Sequence, residues 1–214
     1  MRREDLRRLF ARARDLCGET DYVVMGSLAV LGHAGEVPPR MTASLDVDAF
    51  TKRDPGRIFD LALALGPGSP FEAEFGYYLD PISPRVATLP AGWPDRLTRI
   101  ELEPDLAAWF LEPNDAAVSK YARMEPRDRE WIRPGLRAGV LSLAILDARF
   151  AGTHFLDARE SARARQALEE DRRWLRARKA RSRRGAAGPP APRAGAPPRS
   201  VRRARLRKSR RRPR

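Results

Sequence analysis

Apolar positions along the chain keep two rhythms, and each rhythm predicts an element. In Glu4–Cys17, Leu6, Leu9, Phe10 and Ala13 recur at spacings of three and four with charges elsewhere, which predicts an amphipathic helix. Tyr22-Val-Val-Met25 is a short unbroken apolar run and predicts a buried strand. Gly26-Ser27 then opens Leu28-Ala-Val-Leu31, the expected first turns of a helix, which Gly35 and Pro38-Pro39 end. Ser44-Leu-Asp-Val-Asp-Ala-Phe50 alternates with period two, so it predicts a half-buried strand whose carboxylates share one face.

Pro55–Leu65 is helical in pattern, with Ile58, Leu61, Ala62 and Leu65 on one side, and Gly66-Pro-Gly-Ser69 reads as a turn. Phe75–Leu79 and Leu97–Leu102 predict further strands, separated by a turn region around Pro81, Pro84, Pro90 and Pro94. From Asp105 the pattern becomes helical, over Asn114–Met124, Pro126–Arg137, Ser142–Phe150 and Asp157–Lys179, with a kink expected at Pro134. The expected fold is α+β: a mixed β-sheet flanked by helices in residues 1–104, a helical region over 105–179, and a basic tail over 180–214.

The net charge of +14 changes the picture only at the end of the chain. Residues 180–214 hold 14 basic and no acidic residues, which is the whole excess. Rich in Ala, Pro and Gly, that segment has too little apolar surface to offset the entropy of ordering, so it is expected to be disordered. Two readings of it stand side by side: a nucleic-acid-binding arm acting through counterion release, or a solvated extension. The second follows from codon bias, because 38 of the 42 basic residues are Arg, which like Ala, Pro and Gly has GC-rich codons. A single cysteine, Cys17, excludes an internal disulfide, and with only His33 and His154 beside it no zinc pattern is present. No apolar stretch approaches the roughly 18 residues of a membrane span, and the charged start lacks an apolar core with a cleavage site. The cytoplasm is the expected compartment.

The candidate chemistry lies in Gly26-Ser27, at a strand end, and in Asp46-Val-Asp48, 19 residues beyond Ser27 on a strand. A helix opening at Ser27 would offer unpaired N–H groups to a phosphate, Gly26 would let that phosphate approach the main chain, and Ser27 adds a hydroxyl. Residues two apart on a strand face the same way, so Asp46 and Asp48 can converge on divalent cations. A phosphate cradle facing paired carboxylates is an arrangement suited to moving a nucleotidyl group.

These residues, together with Arg40-Met-Thr42 leading into Ser44-Leu-Asp46-Val-Asp48, resemble the signature of the DNA polymerase beta type nucleotidyltransferase superfamily, in its minimal and AbiEii-like toxin branches. Phe71-Glu-Ala-Glu-Phe-Gly-Tyr-Tyr78, Thr88-Leu-Pro-Ala-Gly-Trp93 and Leu111-Glu-Pro-Asn-Asp115 with Ser119-Lys120 are similar to a bacterial family of uncharacterised proteins classed as nucleotidyltransferases. The likeness covers about residues 1–160 and excludes the tail.

The resemblance implies transfer of a nucleoside monophosphate from an NTP to a hydroxyl of a protein side chain, an RNA end or a small molecule. It implies Mg²⁺ on Asp46 and Asp48, the triphosphate against Gly26 and Ser27, and support from Lys120 and from Asp128, with a toxin–antitoxin setting attached to the AbiEii-like branch. The superfamily usually adds a third carboxylate from a later strand, for which Asp80 is the first choice and Glu101 and Glu103 stand behind it. Without a third carboxylate the same fold would be a catalytically silent nucleotide-binding module; with the tail as its working part it would be a nucleic-acid binder.

Overall fold

The computed structural model describes the backbone of residues 1–186 and the side chains of 1–182. By its contacts the chain divides into Met1–Arg178 and Lys179–Arg214. Five strands build the first unit: β1 (Asp21–Val24), β2 (Asp46–Thr51), β3 (Tyr78–Pro81), β4 (Thr98–Glu103) and β5 (Leu106–Phe110). They form one mixed sheet in the order β3-β2-β1-β5-β4, with β1 antiparallel to β2 and parallel to β5. Helices complete it: α1 (Arg3–Cys17), α2 (Ala62–Leu65), α3 (Pro70–Phe75), α4 (Pro113–Arg123), α5 (Pro126–Ala138), α6 (Leu143–Ala151) and α7 (Ala158–Ala186). The α+β class expected from the sequence is the class observed.

Period two decides which face each strand residue takes. Val47, Ala49 and Thr51 of β2, with Leu79 of β3, are fully buried on one face. There α1 lays its stripe of Leu6, Leu9, Phe10 and Ala13, and the Phe10 ring stacks on Tyr22 at 4.5 Å. Asp46 and Asp48 alternate with these residues and so take the opposite face.

Several elements differ from expectation. Leu106–Phe110, placed by its position in the helical half, is a strand beside β1. Leu-Ala-Ala-Trp-Phe has no polar residue to mark a period, and such a run becomes a strand when the sheet buries it. The segment after Gly26 is a six-residue 3₁₀ helix, Ser27–Gly32, not the start of an α-helix. Pro55–Leu65 is 3₁₀ over Pro55–Leu61 before α2. The turn at Gly66–Ser69 leads directly into α3, because the Ser69 hydroxyl accepts from Glu72 N–H and Pro70 sits at the first helical position. That short helix moves the next strand from 75–79 to Tyr78–Pro81. Helix α5 runs on through Pro134 to Ala138, and α7 reaches Ala186, seven residues into the expected tail. The expectation of disorder from residue 187 onward lies outside the described residues, as does the nucleic-acid-binding reading of that segment.

The stretch Leu111–Asp115 fastens α4 in place. The Glu112 carboxylate accepts from the N–H groups of Asn114 and Asp115, and Asn114 Oδ1 accepts from Ser142 N–H at 2.8 Å. Asp115, fully buried, accepts from Arg96 Nε and Arg149 Nε, each at 2.8 Å. Burial raises the Asp115 pKa and its arginines oppose that rise. Removing the carboxylate would strand two guanidiniums that are themselves largely buried. Asp115→Ala is therefore expected to lower the free energy of unfolding by about 3 kcal/mol in urea titrations; a loss below about 1 kcal/mol would mean that the clamp holds nothing in place.

Candidate active site

Parallel pairing of β2 with β3 sets Asp48 opposite Asp80. Asp46, Asp48 and Asp80 then offer carboxylate oxygens that all lie within 4.8 Å of one another, the one group among the described residues with the makings of a metal site. Ser44 Oγ donates to Asp46 Oδ1 and fixes that side chain from two residues upstream. The alternatives for the third carboxylate do not come near: Glu101 and Glu103 are on β4, at the edge of the sheet remote from β3. Glu103 instead takes Arg7 at 2.5 Å and Arg14 at 3.1 Å on α1.

Gly26 gives Asp48 its room. Its φ of 56° and ψ of −142° suit a residue without a Cβ, and an added Cβ would lie 1.7 Å from Asp48 Oδ2. The Met25 N–H donates to the Asp48 carbonyl at 2.8 Å, so the Gly26-Ser27 turn is tied to the strand that carries the carboxylates.

A second group of charges closes the other side. Lys120, 4% exposed, reaches from α4 to donate to Ser27 Oγ at 3.0 Å and to Asp128 Oδ1 at 3.4 Å, with its ammonium 5.0 Å from the centre of the Trp131 ring. Asp128, 1% exposed, also accepts from Arg123 Nη2 at 2.8 Å and from the Glu125 N–H at 2.8 Å. The last bond closes the N-terminal cap of α5, so one carboxylate starts the helix and holds two cations. Burial pulls Lys120 below its ordinary pKa and Asp128 resists that pull. Trp131 Nε1 donates to the carbonyls of Ser27 and Met41, which pins α5 against the turn.

These residues line a cleft of about 620 Å³ with the acidic triad on one wall and Lys120, Arg123 and Arg127 on the other. Of the six residues singled out in the sequence, Ser27, Asp46, Asp48, Asp80 and Lys120 line it, as does Asp128, while Gly26 lies against Asp48. Sequence reasoning missed Arg123, Trp131, Ser44 and Tyr78. Arg123 carries a readable signal, since it lies five residues before Asp128 across the α4–α5 turn; Trp131 and Tyr78 carry none, because an aromatic on an amphipathic element reads as core.

A family model described as a nucleotidyltransferase of unknown function (DUF6036) matches residues 4–180. The chain belongs to that family. No curated protein and no solved structure matches it. The match to this nucleotidyltransferase family spans every residue around the cleft, and no helix among the described residues is long and apolar enough to cross a membrane.

Like charges at this spacing are costly without a counterion. Burial, then Asp46 and Asp80, push the Asp48 pKa up to about 6, although Lys120 and Arg123 oppose them. Asp80 is raised by burial and by Asp46. A carboxyl raised in the folded state binds protons more tightly there than in the unfolded chain. Its contribution is whole below the unfolded value near 4 and is lost as the pH climbs through about 6. Asp48→Asn is therefore expected to melt at a higher temperature than the parent in metal-free buffer. The difference should grow between pH 4 and about 6, up to about 2–3 kcal/mol, in thermal unfolding across that pH range. An equal shift at every pH would show that the carboxylates do not strain the fold.

Proposed function

We propose that this protein moves a nucleoside monophosphate from an NTP to a hydroxyl acceptor, using divalent cations held by Asp46, Asp48 and Asp80. The observation that carries the reading is the convergence of three carboxylates within 4.8 Å in a cleft whose facing wall is cationic. Hard oxygen donors without a competing thiolate or imidazole suit Mg²⁺, which takes one or two carboxylates and completes its shell with water and phosphate oxygens. When bound, the metal supplies neutralisation of phosphate charge and a lower pKa for an attacking hydroxyl.

The chain's own groups do the rest. Gly26 leaves the main chain open beside Asp48, and Ser27 offers a hydroxyl that Lys120 holds in place at 3.0 Å. Lys120 and Arg123 set positive charge where the β- and γ-phosphates would gain negative charge as the bond breaks. The acceptor oxygen forms a bond to the α-phosphorus, the α–β anhydride bond breaks, pyrophosphate leaves, and the hydroxyl proton passes to the Asp80 carboxylate. Asp80 suits that role because it is less buried than Asp48 and its pKa is already raised. The third carboxylate, Asp80, beside Asp48 favours this reading over a silent nucleotide-binding module. The acceptor hydroxyl belongs to an RNA end, a protein side chain or a small molecule.

Calorimetric titration of the full chain with non-hydrolysable analogues of ATP, GTP, CTP and UTP tests the site. Binding is expected with Mg²⁺, and Asp46→Asn combined with Asp48→Asn should weaken it at least about 100-fold. Binding that persists without metal, or that the double variant leaves unchanged, would refute the assignment.

A further inference from the structure

Among the described residues the sheet ends at β4, and the alternation of hydrogen bonds along β5 sets which way the main-chain groups of β4 point. Ala107 and Leu111 donate their N–H groups to the carbonyls of Thr20 and Val24, on the β1 side. Odd-numbered residues of β5 therefore turn their main chain toward β1, and Leu106, Ala108 and Phe110 turn theirs toward β4. Ala108 faces Ile100 and Phe110 faces Thr98. The main-chain N–H and C=O of Arg99, and those of Glu101, consequently point away from the sheet, on the side of β4 where no strand among the described residues pairs.

Edge strands are ordinarily blunted by charge, because like charges meeting across a new ladder repel. Here the edge residues are opposite in sign, two apart, and on one face, with Arg99 Nη1 3.8 Å from Glu101 Oε2 along their own strand. Both side chains are exposed, while Ile100 between them is partly buried and packs against the core. Such a sequence is complementary to its own reverse.

We propose that β4 is a homodimer edge, at which two copies pair antiparallel about a two-fold axis through Ile100. Arg99 of one copy then faces Glu101 of the other in the hydrogen-bonded position, and the symmetric pair repeats it, giving four main-chain hydrogen bonds and two charge pairs. Ile100 meets its counterpart in the non-hydrogen-bonded position, where side chains approach most closely. Charge fixes the register: centring the pair on residue 99 or 101 would set two guanidiniums or two carboxylates face to face. The irregularity between Glu101 and Glu103 ends the regular edge and confines the pairing to the Thr98–Leu102 window. The axis stands normal to the sheet, so both acidic clefts open on the same side, with their β2 strands seven strand spacings, roughly 33 Å, apart. The pairing leaves the clefts free and does not depend on the reaction assigned to them.

Sedimentation equilibrium of the full chain over a wide concentration range, with salt as a variable, tests this. A reversible dimer is expected. Arg99→Glu and Glu101→Arg should each weaken it about tenfold or more, and the double exchange R99E/E101R should restore it, because the pairs re-form with their signs reversed. Unchanged melting temperatures would show that the single variants still fold. In hydrogen exchange, the amides of Arg99 and Glu101 should gain protection as concentration rises, whereas Ile100, bonded to β5, stays protected throughout. A chain that remains monomeric at every concentration, or a dimer indifferent to both single variants, would overturn the proposal.

Discussion

Mutual repulsion of three carboxylates governs much of what surrounds them. Carboxylate oxygens held within 4.8 Å of one another in a half-buried cleft oppose folding, and the opposition has to be met by rigid neighbours. The parallel β2–β3 register sets two of the three side by side, and the fully buried Val47, Ala49 and Leu79 on the reverse face keep that register from slipping. A slip of one residue would turn the acids into the core and the core into the cleft. The hydrophobic face beneath α1 and the acidic face above it are thus two sides of one constraint.

The cationic wall answers the same repulsion from across the cleft. Lys120 is one of only two lysines in residues 1–178, against 25 arginines in the same span. An ammonium is a compact donor that can reach the Ser27 hydroxyl and Asp128 together over the Trp131 ring, where a planar guanidinium would demand more width. Arg123 takes the geometry that suits a fork, with two bonds to Asp128 from the more open side. Asp128 joins these two cations to the start of α5, so the charge of the cleft and the placement of a helix share one side chain.

Much of this was legible in the sequence, for identifiable reasons. The alternation around Asp46 and Asp48 fixed their common face, and the helical spacing in α1 marked the residues that cover the reverse. Lys120 and Asp128 came through family likeness and not through periodicity, since a buried charge on a helix has no pattern of its own. β5 was missed because an unbroken apolar run has no period, and α3 because its sequence signal is one Ser-Pro capping pair after a glycine-rich turn. Asp80 was named as a third carboxylate, yet its strand was placed three residues early, and only pairing with β2 reveals which face it takes. Local patterns speak for elements; long-range pairing decides who meets whom.

Strand β5 lies inside the sheet, between β1 and β4, although it is last of the five in the chain. On the ribosome, β1 through β4 emerge without the neighbour that separates β1 from β4. The acidic wall needs only β2 and β3, with β1 beside them, and all three precede β5 in the chain. Strand β4 therefore cannot join the sheet until Leu106–Phe110 has been made, and α4, which carries Lys120, begins three residues after that strand ends. The wall that carries the carboxylates is thus made before the helix whose lysine faces it, and the repulsion within that wall goes unanswered until α4 is in place.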